Sequence, residues 1–215
     1  VLIVAIPHIS SLMLKKKKNE LQEKLISLYT FLLLFTPSAI VGLFFLSEPL
    51  IRLFAGKEYI SSNDSLQILA ISLLFASFAC FYINVVMIPF QQEKNILIST
   101  ISSALVNIVL NFILIPYYGV SAAAFTTLIS EFLICMLGFF YTRKIFCYKS
   151  YRQLFFSVVG MFITAGSCLI IKNYSFSDWI TIVLSIVISV LVYIMVLFVF
   201  DRRELKQIFL IIKKG

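Results

Sequence analysis

Glu131 is the one carboxylate in this chain that falls inside a long apolar run. It lies about 11 residues past the start of that run at Val120, which at 1.5 Å per residue is about 16 Å deep and near the midplane of a bilayer. A carboxylate at that depth is expensive, and such groups face a cavity or a partner and mark a proton or substrate path. The plainer alternative is silent pairing with a hydroxyl, or with a cation from elsewhere in a longer protein. Two asparagines, Asn107 and Asn111, sit one helical turn apart in the preceding run, with Thr100 and Ser103 inside the same arc of about 80°. They either line a substrate path or bond to a neighbouring helix as packing glue. Asn84, within FYINVVMIP, is open to the same two readings. Arg52 stands four residues after Glu48, so it either closes an ordinary interfacial ion pair or offers a cation to a phosphate or an acidic sugar.

The elements that must carry these groups are helices in lipid. The chain of 215 residues is 61% hydrophobic and 13% charged, with a mean hydropathy of +1.03, which excludes a water-soluble globular domain. Lipid offers no partner to open backbone groups, and the apolar runs are far longer than barrel strands, so an all-α polytopic membrane protein is expected. Six complete spans are expected, at about Leu25 to Leu46, Leu66 to Phe90, Ile96 to Tyr117, Val120 to Tyr141, Leu154 to Ile171 and Trp179 to Phe200. Before them VLIVAIPHISSLML runs only 14 residues to Lys15, short of the roughly 20 a span needs, and reads as the tail of a truncated helix. Lysines follow that run rather than precede it, unlike a signal peptide, so the chain reads as the C-terminal part of a longer protein.

Charge fixes the orientation. Of the 18 Lys and Arg residues, 15 fall in one set of alternate loops, and only Arg52, Lys57 and Lys172 fall in the other. The basic set belongs in the cytoplasm, and the C-terminus with it. The net charge of +8 is then accounted for by topology and anionic headgroups, with no nucleic-acid partner. The last stretch, DRRELKQIFLIIKKG, has the pattern of a short amphipathic surface helix. Cys80, Cys135, Cys147 and Cys168 have no CxxC spacing and only His8 to help them, so neither a metal site, a disulfide framework nor a cofactor is expected. Pro7, Pro37 and Pro89 each invite a kink.

The hairpin Thr100 to Glu131 has the most specific pattern. Pro116, Tyr117, Tyr118 and Gly119 break it, and Ala122, Ala123 and Ala124 give its second helix a narrow, closely packing start. AIPHISSL before a basic loop, then LIRLFAGKEYISSNDSLQILA, then NIVLNFILIPYYGVSAAAFTTLISE together resemble the C-terminal half of bacterial polysaccharide-biosynthesis flippases. These are the Wzx-type O-antigen and capsule-unit transporters of the multidrug/oligosaccharidyl-lipid/polysaccharide exporter superfamily. The resemblance covers roughly Pro7 to Lys144.

It implies the second lobe of a two-lobe, 12- or 14-helix transporter around a central cavity. Residues 1–144 would form that lobe and 145–215 the two additional helices with a basic tail. It further implies movement of an undecaprenyl-diphosphate-linked oligosaccharide across the bacterial inner membrane, coupled to a cation such as a proton or sodium, without a catalytic residue. The partners would be the lipid-linked oligosaccharide, the membrane and the N-terminal lobe of the same protein. The deep spans carry no arginine or lysine, so a cation for the diphosphate comes from Arg52, a loop or the other lobe. A polysaccharide polymerase or ligase of the same pathway is the alternative from another class, and it would call for a sizeable outer loop rich in arginine, histidine or paired carboxylates. A multidrug exporter of the same superfamily shares the implied fold.

Overall fold

The computed structural model describes Ile9, Met13, residues 18–146, Tyr148, and residues 151–174 and 177–200. The rest of the expected truncated helix, with Pro7 and His8, and Cys147 and the basic C-terminal stretch lie outside the described residues.

Among the described residues the chain is helical throughout, without a strand. Helix α1 (Lys18–Phe45) begins in the polar stretch NELQEK, with Glu20 in its first turn against the positive end of the helix dipole. It continues through Pro37 without a break, since one missing N–H removes one bond of a long ladder. A short helix α2 (Ser47–Phe54) follows the turn at Leu46, with Glu48 in its first turn and Arg52 in its last. A 3₁₀ segment, Lys57–Ser62, leads into α3 (Asn63–Cys80).

Helix α3 widens into a π-helical segment, Phe81–Met87. The cause lies in the local sequence. Ile88 N–H bonds to Ile83 rather than Asn84, Pro89 has no N–H to give, and Phe90 N–H goes to Val86. The carbonyls of Asn84 and Val85 are thereby passed over by the backbone donors that follow them. Gln91, at φ 54°, then turns the chain into α4.

Helix α4 (Glu93–Thr142) is 50 residues long and breaks at Gly119, whose φ of 58° and ψ of −136° lie where glycine alone sits without strain. Its two arms fold back on each other, because Ser103, Asn107 and Asn111 of the first hydrogen-bond to residues of the second between Thr126 and Ser130. Two of the expected apolar runs thus lie within one helix, and the break falls at Gly119 alone, with Pro116 still helical. Helices α5 (Tyr151–Lys172) and α6 (Asp178–Phe200) are the last elements among the described residues. Among the described residues five helices are long and apolar enough to cross a membrane.

The helices pack in the order α4, α3, α1, α5, α6, with α2 resting on α6. One core cluster joins α1 to the π segment through Leu25, Leu28, Phe81, Tyr82 and Val85, and a second joins α1, α5 and α6 through Leu34, Phe156, Tyr193 and Leu197. The loops separate into two ends. Gln22 Nε2 donates to the carbonyl of Ile145 at 2.8 Å, which brings the basic loops at the start of α1 and the end of α4 together. At the other end Lys172 reaches Glu48, and Ser65 Oγ lies 3.2 Å from Ser121 Oγ.

Candidate functional site

The polar stripe of the first hairpin arm closes against the second arm as a ladder. Ser103 Oγ donates to the carbonyl of Ser130 at 2.9 Å, and Asn107 Nδ2 donates to Ser130 Oγ at 2.9 Å. Asn111 Nδ2 donates to Asn107 Oδ1 at 3.0 Å, while Thr126 Oγ1 donates to Asn111 Oδ1 at 2.5 Å. Thr126 is fully buried and Ser130 nearly so. In hydrocarbon each of these groups needs a partner, and the hairpin supplies all of them from itself. The stripe differs from expectation at its start: Thr100 is exposed, and Ser99 is the buried residue, bonded to the carbonyl of Asn95 at 2.8 Å.

Opening one rung tests the ladder. Thr126→Val keeps the side-chain shape but leaves Asn111 Oδ1 without its donor, and the protein is expected to lose about 1 kcal/mol, the usual scale for such bonds between membrane helices. Reversible unfolding in mixed micelles measures it; an unchanged midpoint would remove the ladder from the packing of the hairpin.

Glu131 follows Ser130 in the chain, its side chain about 100° around the helix from that rung, half-buried and with no hydrogen bond or ion pair among the described residues. Cys135, one turn further on the same face, packs against the aromatic cluster where α1, the π segment and the loop after α4 meet. In that cluster the Tyr29 ring lies 4.8 Å from Tyr148, 5.2 Å from Phe81 and 5.2 Å from Phe146, and its hydroxyl is 3.2 Å from that of Tyr82. Helices α3 and α4 come close there because residue 138 is glycine: a Cβ at Gly138 would lie 2.9 Å from Tyr82 Cβ.

The five residues singled out by sequence do not form one site. Asn107 and Asn111 are rungs of the ladder and Glu131 follows Ser130 in the chain. Asn84 sits half-buried on the π segment and donates to Cys80 Sγ at 3.2 Å. Arg52 is at the opposite end of the bundle, paired with Glu48, which also takes a bond from Lys172 Nζ at 2.9 Å. That bond from Lys172, with Arg52 beside it, holds the Glu48 carboxyl below the usual value of 4.5 against the opposing push of burial, so it is ionised at neutral pH. Sequence reasoning missed Thr126, Ser130, Tyr29, Tyr82 and the role of Lys172. The spacing of Thr126 and Ser130, four apart on the arm facing two asparagines, was an available signal. Among the described residues no cluster of His, Cys, Asp and Glu could hold a metal ion.

The described residues form an all-helical bundle with several helices long and apolar enough to cross a membrane, as in a polytopic membrane protein. No family model matches the chain. It is 33% identical over 145 residues to the capsular polysaccharide biosynthesis protein CapF of Staphylococcus aureus. The matched stretch covers 66% of this chain and 36% of that protein, so the match spans little more than a third of the length of that relative.

Proposed function

We propose that this chain is part of a flippase that carries an undecaprenyl-diphosphate-linked oligosaccharide across the bacterial plasma membrane for capsule or related surface-polysaccharide assembly. The similarity to a capsular polysaccharide biosynthesis protein is the observation that carries the proposal. The geometry supports transport over glycosyl transfer. Between α1 and α3 the segment 47–62 is one short helix and a 3₁₀ turn, and its Glu48 is engaged by two cations rather than free as an acid or base.

In this reading the chain makes six crossings, with α4 contributing two, and the basic end of the bundle faces the cytoplasm. Glu131 is the group that takes up a coupling cation or faces the cavity, since this carboxylate of the hairpin takes no part in the hairpin's own bonding among the described residues. The ladder holds the two arms as one rigid unit, and the rest of the cavity wall comes from an N-terminal lobe.

Deleting the gene in its host separates the alternatives. A flippase defect leaves lipid-linked repeat units on the cytoplasmic side, labelled by a membrane-impermeant sugar probe only after the cells are opened. Repeat units that accumulate unpolymerised on the outside would instead assign the protein to polymerisation or ligation.

A further inference from the structure

Beneath α2 lies a cavity of about 490 Å³ between α1, α5 and α6, a volume within the usual range for ligand sites. Leu46 and Leu50 roof it, Phe35 and Ile186 are among its apolar walls, and Ser38 and Ser189 line its interior. Both serines are more than nine-tenths buried, and neither hydroxyl has a hydrogen-bond partner among the described residues. A buried hydroxyl without a partner is costly, so a purely hydrocarbon filling leaves the cavity poorly satisfied. What satisfies it is a mainly apolar occupant that carries acceptor oxygens.

The mouth of the cavity carries the complementary charge. Lys172 stands one turn beyond the lining residue Cys168, and Arg52 two residues beyond Leu50, so the ends of the lining elements present both cations together. Both are paired with one carboxylate, Glu48, so these three side chains together carry one positive charge in excess. Leu53 and Phe54 of α2, and Trp179 at the start of α6, are exposed around it, the apolar and aromatic surface expected at a membrane interface. Ser38 is seven residues from the end of α1, about 10 Å down that helix from its end, a depth suited to ester groups and the start of an acyl chain.

We infer that this end of the bundle holds an anionic glycerophospholipid, with its phosphate at Arg52 and Lys172 and its ester oxygens and one acyl chain in the cavity beneath α2. The inference rests on residence in a membrane and not on the transport proposal. The ester oxygens accept from Ser38 and Ser189, and the bound lipid joins α2 to α5 and α6.

Native mass spectrometry of the full-length protein, titrated in detergent with phosphatidylglycerol or phosphatidylcholine, tests it. The wild-type protein is expected to retain phosphatidylglycerol at least tenfold more strongly. The doubly substituted Arg52→Ala, Lys172→Ala protein should hold both lipids equally, and Ser189→Leu, which fills the cavity, should lower retention of both. Arg52 and Lys172 are exposed, so the charge variant keeps the test informative if the cavity variant does not fold. An unchanged preference in the charge variant overturns the inference. So does displacement of the lipid by an equal concentration of inorganic phosphate, which would show a headgroup site without a chain, or exclusion of phosphatidylglycerol by a polyprenyl phosphate.

Discussion

Glu131→Gln in the full-length protein is expected to reduce delivery of repeat units to the outer surface at least tenfold while leaving the stability of the bundle the same or higher. The reasoning is energetic. A charge near the bilayer centre costs about 2.5–3.5 kcal/mol by insertion scales, and Glu131 recovers none of this through a hydrogen bond or ion pair among the described residues. The ladder is complete without it, so glutamine breaks no contact. A residue that serves packing would lose stability on substitution, whereas one kept for transport loses activity alone. Surface polymer quantified beside thermal unfolding of the same variant separates the two, and full polymer output from Glu131→Gln would remove its assigned role.

The second large effect is structural and lies at Gly160. A Cβ there would fall 2.5 Å from Ser38 Oγ and 2.6 Å from the Tyr193 ring, at the point where α1, α5 and α6 meet. Moving Tyr193 aside would break the hydrogen bond that its buried hydroxyl donates to the carbonyl of Leu34 at 3.0 Å. Gly160→Ala is therefore expected to cost about 2 kcal/mol by overpacking, and Gly160→Leu to part α5 from its neighbours. Gly166, on the same helix, is the control, since a Cβ there meets nothing within 4 Å. Gly166→Ala should be neutral or mildly stabilising, because alanine restricts the unfolded chain. Unfolding midpoints of the two alanine variants decide the matter; equal values would contradict the close three-helix packing.

The hairpin was legible because its information is local. Asparagines four apart, a glycine after Pro-Tyr-Tyr and three alanines set stripe, break and close packing within about 30 residues, although the break expected over Pro116 to Gly119 is confined to Gly119. The stripe was misjudged by one residue at its start, where Thr100 and Ser99 are both hydroxyl-bearing and only the partner arm decides which faces inward. The π segment was less readable. Pro89 announced a disturbance, but no local pattern states that Phe81, Tyr82, Val85 and Val86 of the widened segment are core residues packed with α1. Pro37 gave the same warning and produced no break. Contacts between distant segments left no trace in a single sequence: Lys172 on Glu48 spans 124 positions, and Tyr29 meets Tyr82 from 53 away. Arg52 thus carried an ion pair that was foreseen and a second cation beside it that was not.

The most direct measurement is reconstitution of the full-length protein in liposomes loaded on one leaflet with an undecaprenyl-diphosphate-linked oligosaccharide bearing a fluorophore on its sugar. Transport predicts that an external quencher reaches the label faster with protein than without, that Glu131→Gln returns the rate toward that of empty liposomes, and that the glycan stays unchanged in length. A rate equal to that of empty liposomes, or the appearance of longer glycans, would contradict the assignment of a flippase.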